Sequence, residues 1–133
     1  ELTGLREVEG PESDPRIIAM FKKWGITWTE DDSNAAWCAV FVNEVLDLAG
    51  YQAPGDLLAR GFENYGEEVI TPEPLDIVGF WRGDPNSKFG HVAFWLGEND
   101  YFVYSWGGNQ GNEVGVKKYT VDRKLFYRRP ILK

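Results

Sequence analysis

Cys38 and His91 are the one cysteine and the one histidine of the chain, and both lie where a catalytic thiol and its base are expected. Cys38 follows a polar run at 31–34 and begins an apolar pattern with helical spacing, whereas His91 heads an apolar, strand-like run. A helix N-terminus offers unpaired N–H groups and partial positive charge, which stabilise a thiolate. An imidazole can take the thiol proton and later protonate a leaving group. The pair therefore predicts nucleophilic catalysis of the cysteine-hydrolase kind, although a lone cysteine is often only a small buried apolar residue.

A third polar residue is expected next to the second nitrogen of His91, because an imidazole works best when an acceptor fixes its tautomer. Hairpin pairing would place residues 104–110 beside the start of the His91 strand, and Asn109 is the best candidate among them. Its amide oxygen can orient the ring without adding a full charge. The glycines at 107, 108 and 111 also suit a turn with positive φ, so Asn109 has a turn-forming interpretation as well. The same glycines would let the backbone pass close to a cleft.

An oxyanion formed at the attacked carbonyl needs hydrogen-bond donors. The backbone N–H of Cys38 is one expected donor, and Ser33, Asn34 and Gln110 are candidates for the second, with Gln110 also a candidate for contacting substrate. Ser33 fits a helix cap better than an oxyanion donor.

The chain is rich in aromatic residues, with 6 Trp, 6 Tyr and 8 Phe. Most of them are expected to pack in the core or at its rim. Trp37, Trp81 and Trp106 each adjoin a motif, and are therefore the candidates for the wall of a substrate cleft.

Composition limits the class of protein. At 133 residues, with 43% hydrophobic residues, the chain fits a single domain, 1–133, with a real core. No apolar run reaches the length of a membrane span, and the first residues lack the pattern of a signal peptide. Because the chain begins with Glu1, it is expected to be a piece of a longer protein or a processed one.

Metal and nucleic-acid functions are disfavoured. One cysteine and one histidine cannot complete a structural zinc site or a disulfide framework, and Asp31, Asp32 and Asn34 lack the Gly and distal Glu of an EF-hand loop. We therefore expect no metal and no cofactor. A net charge of −7 disfavours nucleic acid and gives little attraction to anionic membranes. The basic pairs at 117–118, 123–124 and 128–129 are expected to form a solvated sheet edge.

Apolar periodicity predicts helices first and strands afterwards, hence an α+β fold in which the Cys38 helix packs on a sheet that carries His91. The predicted helices run from Ser13 to a stop at Gly25, from about Ala35 to Ala49 with Gly50 as its end, and, more briefly, over 55–64. The predicted strands are 75–81, 91–96, 101–106, 113–119 and 125–129, arranged as an antiparallel meander.

Four segments of the chain carry a shared pattern: 37–42, 75–80, 90–94 and 107–111. Together they resemble the CHAP branch of the NlpC/P60-like cysteine peptidases, above all the compact domains of phage endolysins and bacterial cell-wall hydrolases. The opening and closing segments also look like that subgroup, so the resemblance spans nearly the whole chain. Trp37 precedes the nucleophile, which favours the CHAP branch over NlpC/P60, but Gly107 and Gly108 stand where many CHAP domains have an acidic residue. The opening and closing segments that share the resemblance are 4–11 and 127–130.

The resemblance implies a papain-like fold and hydrolysis of an amide bond in peptidoglycan, either as an N-acetylmuramoyl-L-alanine amidase or as a peptide-bridge endopeptidase. Cys38 would be the nucleophile, His91 the general base and then acid, and Asn109 the residue that orients His91. The substrate would be the bacterial cell wall on its periplasmic or extracellular side, bound by a monomer without membrane insertion, with wall binding shared by another module.

The sequence also allows two functions other than peptidoglycan hydrolysis. A noncatalytic wall- or glycan-binding module would use the aromatic residues and leave Cys38 inert. A cysteine acyltransferase or deamidase would keep the chemistry but act on protein. Loss of turnover in Cys38→Ala separates the first from a hydrolase, and a new amide in the product separates an acyltransferase.

Overall fold

The computed structural model describes residues 19, 20, 22–24, 37–55, 59–86, 90–108 and 114–133. Within these residues the protein is α+β, with a helix packed on a six-stranded antiparallel sheet, which confirms the predicted coarse class. Of the predicted first helix, Ala19, Met20, Lys22 and Lys23 are described as helical, and the remainder of that prediction lies outside the described residues.

Helix α1 spans Trp37–Leu48. Its first half is buried all round, because apolar side chains occupy nearly every position from Trp37 to Val42. The helix ends where Gly50 adopts a φ of +87°, with Gly50 N–H bonded to Asp47 O at 3.2 Å and Tyr51 N–H bonded to Leu46 O at 2.8 Å. This pair of bonds is a Schellman motif, which glycine favours. The predicted stop at Gly50 is confirmed.

The third predicted helix is a 3-10 helix over Ala59–Asn64, in which Phe62 is fully buried. The six strands are β1 Glu67–Glu68, β2 Ile77–Trp81, β3 Gly90–Glu98, β4 Phe102–Gly107, β5 Gly115–Thr120 and β6 Lys124–Arg129. The described helices are all too short or too polar to cross a membrane.

The predicted meander is wrong at its last strand. The strands lie in the order β1-β6-β2-β3-β4-β5, so β6 pairs with β2 instead of extending the sheet beyond β5. A short 3-10 helix, Val121–Arg123, makes the crossing. Arg123 donates from Nε and Nη2 to Trp81 O at 3.1 and 2.9 Å, and Trp81 Nε1 donates to Asp122 O at 3.2 Å. These bonds fix the crossing at the end of β2.

The predicted solvated edge of basic residues is only partly correct. Lys117 and Lys118 are exposed on the edge strand β5, as expected. Arg129 instead lies on an inner strand and donates to the carboxylate of Asp76 at 3.1 and 2.9 Å. Asp76 is only 4% exposed, so it needs this cation to offset its desolvation.

The sheet is buried on both faces at its centre, as strands flanked by two apolar layers must be. Ile77, Val92 and Phe94 pack towards α1, whereas Val78 and Phe80 belong to a second cluster with Val103 and Tyr127. Helix α1 thus lies against the central strands, and its first turn lies at the end of the sheet where β3 begins.

Candidate active site

The start of β3 is left open for α1 because β4 stops pairing with it early. The registered pairs between β3 and β4 end at Phe94 and Trp106, whereas β3 continues along β2 to Gly90. The backbone N–H of Val92 lies close enough to the thiol of Cys38 to lower its pKa. Cys38, in the first turn of α1, therefore lies against the residue that follows His91 in the strand.

The environment of the Cys38 thiol acts in two directions. Burial raises its pKa, and this effect is the largest, since the residue is only 7% exposed. The N–H of Val92, the charge of Arg82 and the N–H groups of Ala39 and Cys38 itself lower the pKa. The helix N-terminus stabilises the anion as the sequence predicts, but burial outweighs it. The thiol at rest is therefore protonated at neutral pH.

His91 is held among aromatic rings. Its imidazole is 1% exposed and lies opposite Phe80 on the neighbouring strand, with ring centroids 6.2 Å apart and planes 22° apart. The ring of Tyr119 lies 5.2 Å from the imidazole and 4.5 Å from Phe80. The rings of Phe80 and Tyr119 fix where the imidazole lies, which a general base requires.

Tyr119 lies near both Cys38 and His91, and it is not among the residues that the sequence predicts for the site. Burial raises the pKa of its hydroxyl, the nearby Arg82 and Arg123 lower it, and the nearby Cys38 raises it. Tyr119 therefore lies within electrostatic reach of Cys38 while its ring contacts His91. Its position at the end of an edge strand gives no local signal, because only the curvature of the sheet and the crossing to β6 bring it to His91.

The glycines at 107 and 108 let the chain pass close to α1 and β3. A Cβ on Gly108 would overlap the ring of Trp37 and lie 2.9 Å from Cβ of Phe41. A Cβ on Gly107 would lie 2.9 Å from Cβ of Ala93. The chain can approach α1 and β3 this closely only without side chains at these positions. Asn109 follows directly, but its predicted role lies outside the described residues, as do the predicted roles of Ser33, Asn34 and Gln110.

The three tryptophans predicted to line a cleft have different environments. Trp37 is 1% exposed beneath Gly108, so it offers no open face to a substrate, contrary to expectation. Trp81 is partly exposed at the end of β2, with the Arg123 guanidinium 5.5 Å from its ring. Trp106 is partly buried against Phe41, at 5.1 Å.

A cavity of about 490 Å³ lies at the other end of α1 and does not include Cys38 or His91. Its walls include Val45, Leu46, Leu75 and Trp106, with Asp76 and Arg129 at its polar side. The catalytic candidates and this cavity are therefore separate features. Among the described residues, no group of three His, Cys, Asp or Glu side chains could hold a metal ion.

The geometry can support acyl chemistry, since a thiol at a helix start, an enclosed imidazole and backbone N–H donors lie at one end of the sheet. Comparison with known proteins adds no family to this arrangement: no protein-family model matches the chain, and no curated protein matches it.

Proposed function

We propose that this protein is a papain-like cysteine hydrolase of the CHAP type, which cleaves an amide bond of peptidoglycan. The observation that carries the proposal is the position of the Cys38 thiol, in the first turn of α1, against the backbone of Val92 at the start of β3. This position sets a candidate nucleophile against the strand that carries the chain's one histidine. The motifs at 37–42, 75–80, 90–94 and 107–111 supply the substrate class.

In the proposed mechanism, the imidazole of His91 takes the proton from the Cys38 thiol as sulfur attacks the amide carbonyl. The carbonyl oxygen becomes an oxyanion, which the backbone N–H of Cys38 stabilises. The intermediate collapses by breaking the C–N bond, and His91 gives its proton to the departing amine. Water, deprotonated by His91, then attacks the thioester, releasing a carboxylate and restoring the thiol.

The raised pKa of Cys38 favours this concerted version over a preformed thiolate–imidazolium pair. A buried thiol is poorly ionised at neutral pH, so proton transfer must accompany the attack. Asn109 is proposed to accept from the second imidazole nitrogen and so hold the tautomer that this transfer needs.

The activity is either that of an N-acetylmuramoyl-L-alanine amidase or that of a peptide-bridge endopeptidase. Purified peptidoglycan should be digested with the wild-type protein and with Cys38→Ala, and the soluble products analysed by mass spectrometry. We expect fragments from the wild type alone, and their new termini identify the bond. Circular dichroism of Cys38→Ala should match that of the wild type, which excludes unfolding as the cause. Fragments from both proteins would refute a Cys38-dependent hydrolase.

A further inference from the structure

Positive charge surrounds Tyr119 at the side of the site. The guanidinium of Arg123 lies 5.4 Å from the Tyr119 ring, and Nζ of Lys117 lies 5.6 Å from it. Tyr119 in turn contacts His91 at 5.2 Å. Although the chain has a net charge of −7, Lys117 and Arg123 both lie near the aromatic ring that contacts the candidate base.

Arg82 adds a third cation from the other side. It follows Trp81, whose partner in the sheet is Gly90, so Arg82 lies just beyond the point where the His91 strand begins. Its side chain is exposed, and its charge lowers the pKa of both Cys38 and Tyr119. Arg82 is therefore the cation that reaches both the nucleophile and the ring beside the base.

These three cations have no carboxylate partner among the described residues. Other basic residues do: Lys23 and Lys133 pair with Asp47, and Arg129 pairs with Asp76. Arg123 is also fixed in place, because two of its nitrogens donate to Trp81 O. A cluster of like charges costs free energy through mutual repulsion, and an anionic ligand would offset that cost.

We propose that Arg82, Lys117 and Arg123 form a carboxylate-binding subsite beside Cys38 and His91, which selects peptides with a free carboxylate close to the scissile amide. This inference rests on the proposed hydrolase function and narrows its substrate. An arginine recognises a carboxylate through paired, charge-assisted hydrogen bonds, whereas a neutral carboxamide offers one weaker acceptor. The stem peptide of peptidoglycan presents such a choice, since its glutamyl α-carboxyl group occurs free or amidated.

The test uses two soluble stem-peptide substrates that differ only in this group, one with the free carboxylate and one with the carboxamide. We expect the wild type to show kcat/KM at least about tenfold higher for the carboxylate, as for other hydrogen bonds to charged groups. Arg82→Gln and Lys117→Gln should each reduce this preference severalfold. The preference should also weaken as salt is raised, because these cations face solvent.

Lys118→Gln is the matched control. Lys118 neighbours Lys117 on β5, but successive strand residues point to opposite faces, and its Nζ lies 4.3 Å from the Phe102 ring instead of near Tyr119. This substitution removes the same charge from the same strand and should keep the wild-type preference. An equal loss of preference in Lys117→Gln and Lys118→Gln would overturn the subsite in favour of a general effect of charge.

The design separates failure of the subsite from failure of the hydrolase. Equal kcat/KM for the two peptides, with turnover that depends on Cys38, would overturn the subsite and leave the hydrolase intact. If no peptide or wall preparation is turned over, calorimetric binding of both peptides to Cys38→Ala decides the subsite alone. Binding of the carboxylate peptide about tenfold more tightly supports the subsite, and equal binding overturns it.

Discussion

The imidazole of His91 lies against the ring of Tyr119, with centroids 5.2 Å and planes 36° apart. The two residues come from β3 and β5, which do not pair with each other in the sheet. Their contact depends on the bending of the sheet and makes Tyr119 a positioning residue for the candidate base. The hydroxyl is not needed for this, since the contact is made by the rings.

Two substitutions of Tyr119 should therefore distinguish the contribution of its ring to kcat from that of its hydroxyl. Tyr119→Ala removes the surface against which His91 rests, and we expect kcat to fall about 10- to 100-fold because a misplaced base loses alignment. Tyr119→Phe keeps the ring and should restore kcat to within about threefold of the wild type. The KM for a neutral substrate should change little in either variant.

Steady-state kinetics on a soluble neutral substrate check this prediction. A purely structural role for Tyr119 would lower the melting temperature and the active fraction without changing kcat per active site. Active-site titration with a thiol reagent should therefore accompany the kinetics. Equal kcat per titrated site in the wild type and Tyr119→Ala would contradict a positioning role.

Cys38 should react as a buried thiol. Burial raises its pKa, so the rate of alkylation by iodoacetamide should increase with pH and reach its midpoint above the ordinary thiol range of about 8.5. Intact-protein mass spectrometry follows the reaction at a single site, because the chain has one cysteine, and Cys38→Ala is the blank. A midpoint below neutral pH would show a preformed thiolate and contradict the concerted proton transfer.

The same shift links folding to pH. The folded pKa lies above that of the unfolded thiol, so the folded state holds its proton more tightly. This contribution to stability is complete below the unfolded pKa and is lost as pH rises from the unfolded pKa through the folded pKa. Cys38→Ala should therefore lose less stability than the wild type between pH 8 and pH 10 in urea unfolding. A steeper loss in the variant would contradict the raised pKa.

Gly108→Ala should destabilise the protein by about 1–3 kcal/mol, because the added methyl group overlaps the Trp37 ring and crowds Phe41. Gly97→Ala is the control, since Gly97 also belongs to the sheet region but a Cβ there meets no atom within 4 Å. Urea unfolding of both variants tests the contact. Similar stabilities for the two would show that the chain does not pass as close to Trp37 as described.

Leu75 has a φ of +75°, a conformation that is unfavourable for any residue with a Cβ atom. Its side chain is 55% exposed, so little packing is lost by shortening it. Leu75→Gly should therefore stabilise the fold by about 0.5–1 kcal/mol, the relief of strain exceeding the entropy of glycine in the unfolded chain. Leu75→Ala keeps the strain and should give no gain. If Leu75→Gly were no more stable than Leu75→Ala, strain at this position would be contradicted.

Local signals in the sequence were sufficient for the elements that hold Cys38 and His91. The apolar spacing after Trp37 and the stop at Gly50 predicted α1, and the apolar run after Gly90 predicted β3. These features depend on neighbouring residues, so a single chain reveals them. The pairing of β3 with β4 followed from the short turn between them.

Contacts between distant residues could not be predicted in the same way. The insertion of β6 beside β2 depends on the bonds from Arg123 to Trp81 O, and the burial of Asp76 depends on Arg129. In each pair, the sequence around one residue gives no indication of its partner. Tyr119 was missed for the same reason, because its contact with His91 exists only once the sheet is folded.

The most direct test of the account is the mass of the intact protein quenched with acid during turnover of a soluble stem-peptide substrate. A cysteine nucleophile forms a thioester with the acyl half of the substrate, so a fraction of the wild-type protein should carry that added mass on Cys38. The adduct should be absent from Cys38→Ala, which should also release no product. Product release without any adduct in the wild type, together with release by Cys38→Ala, would contradict catalysis by Cys38.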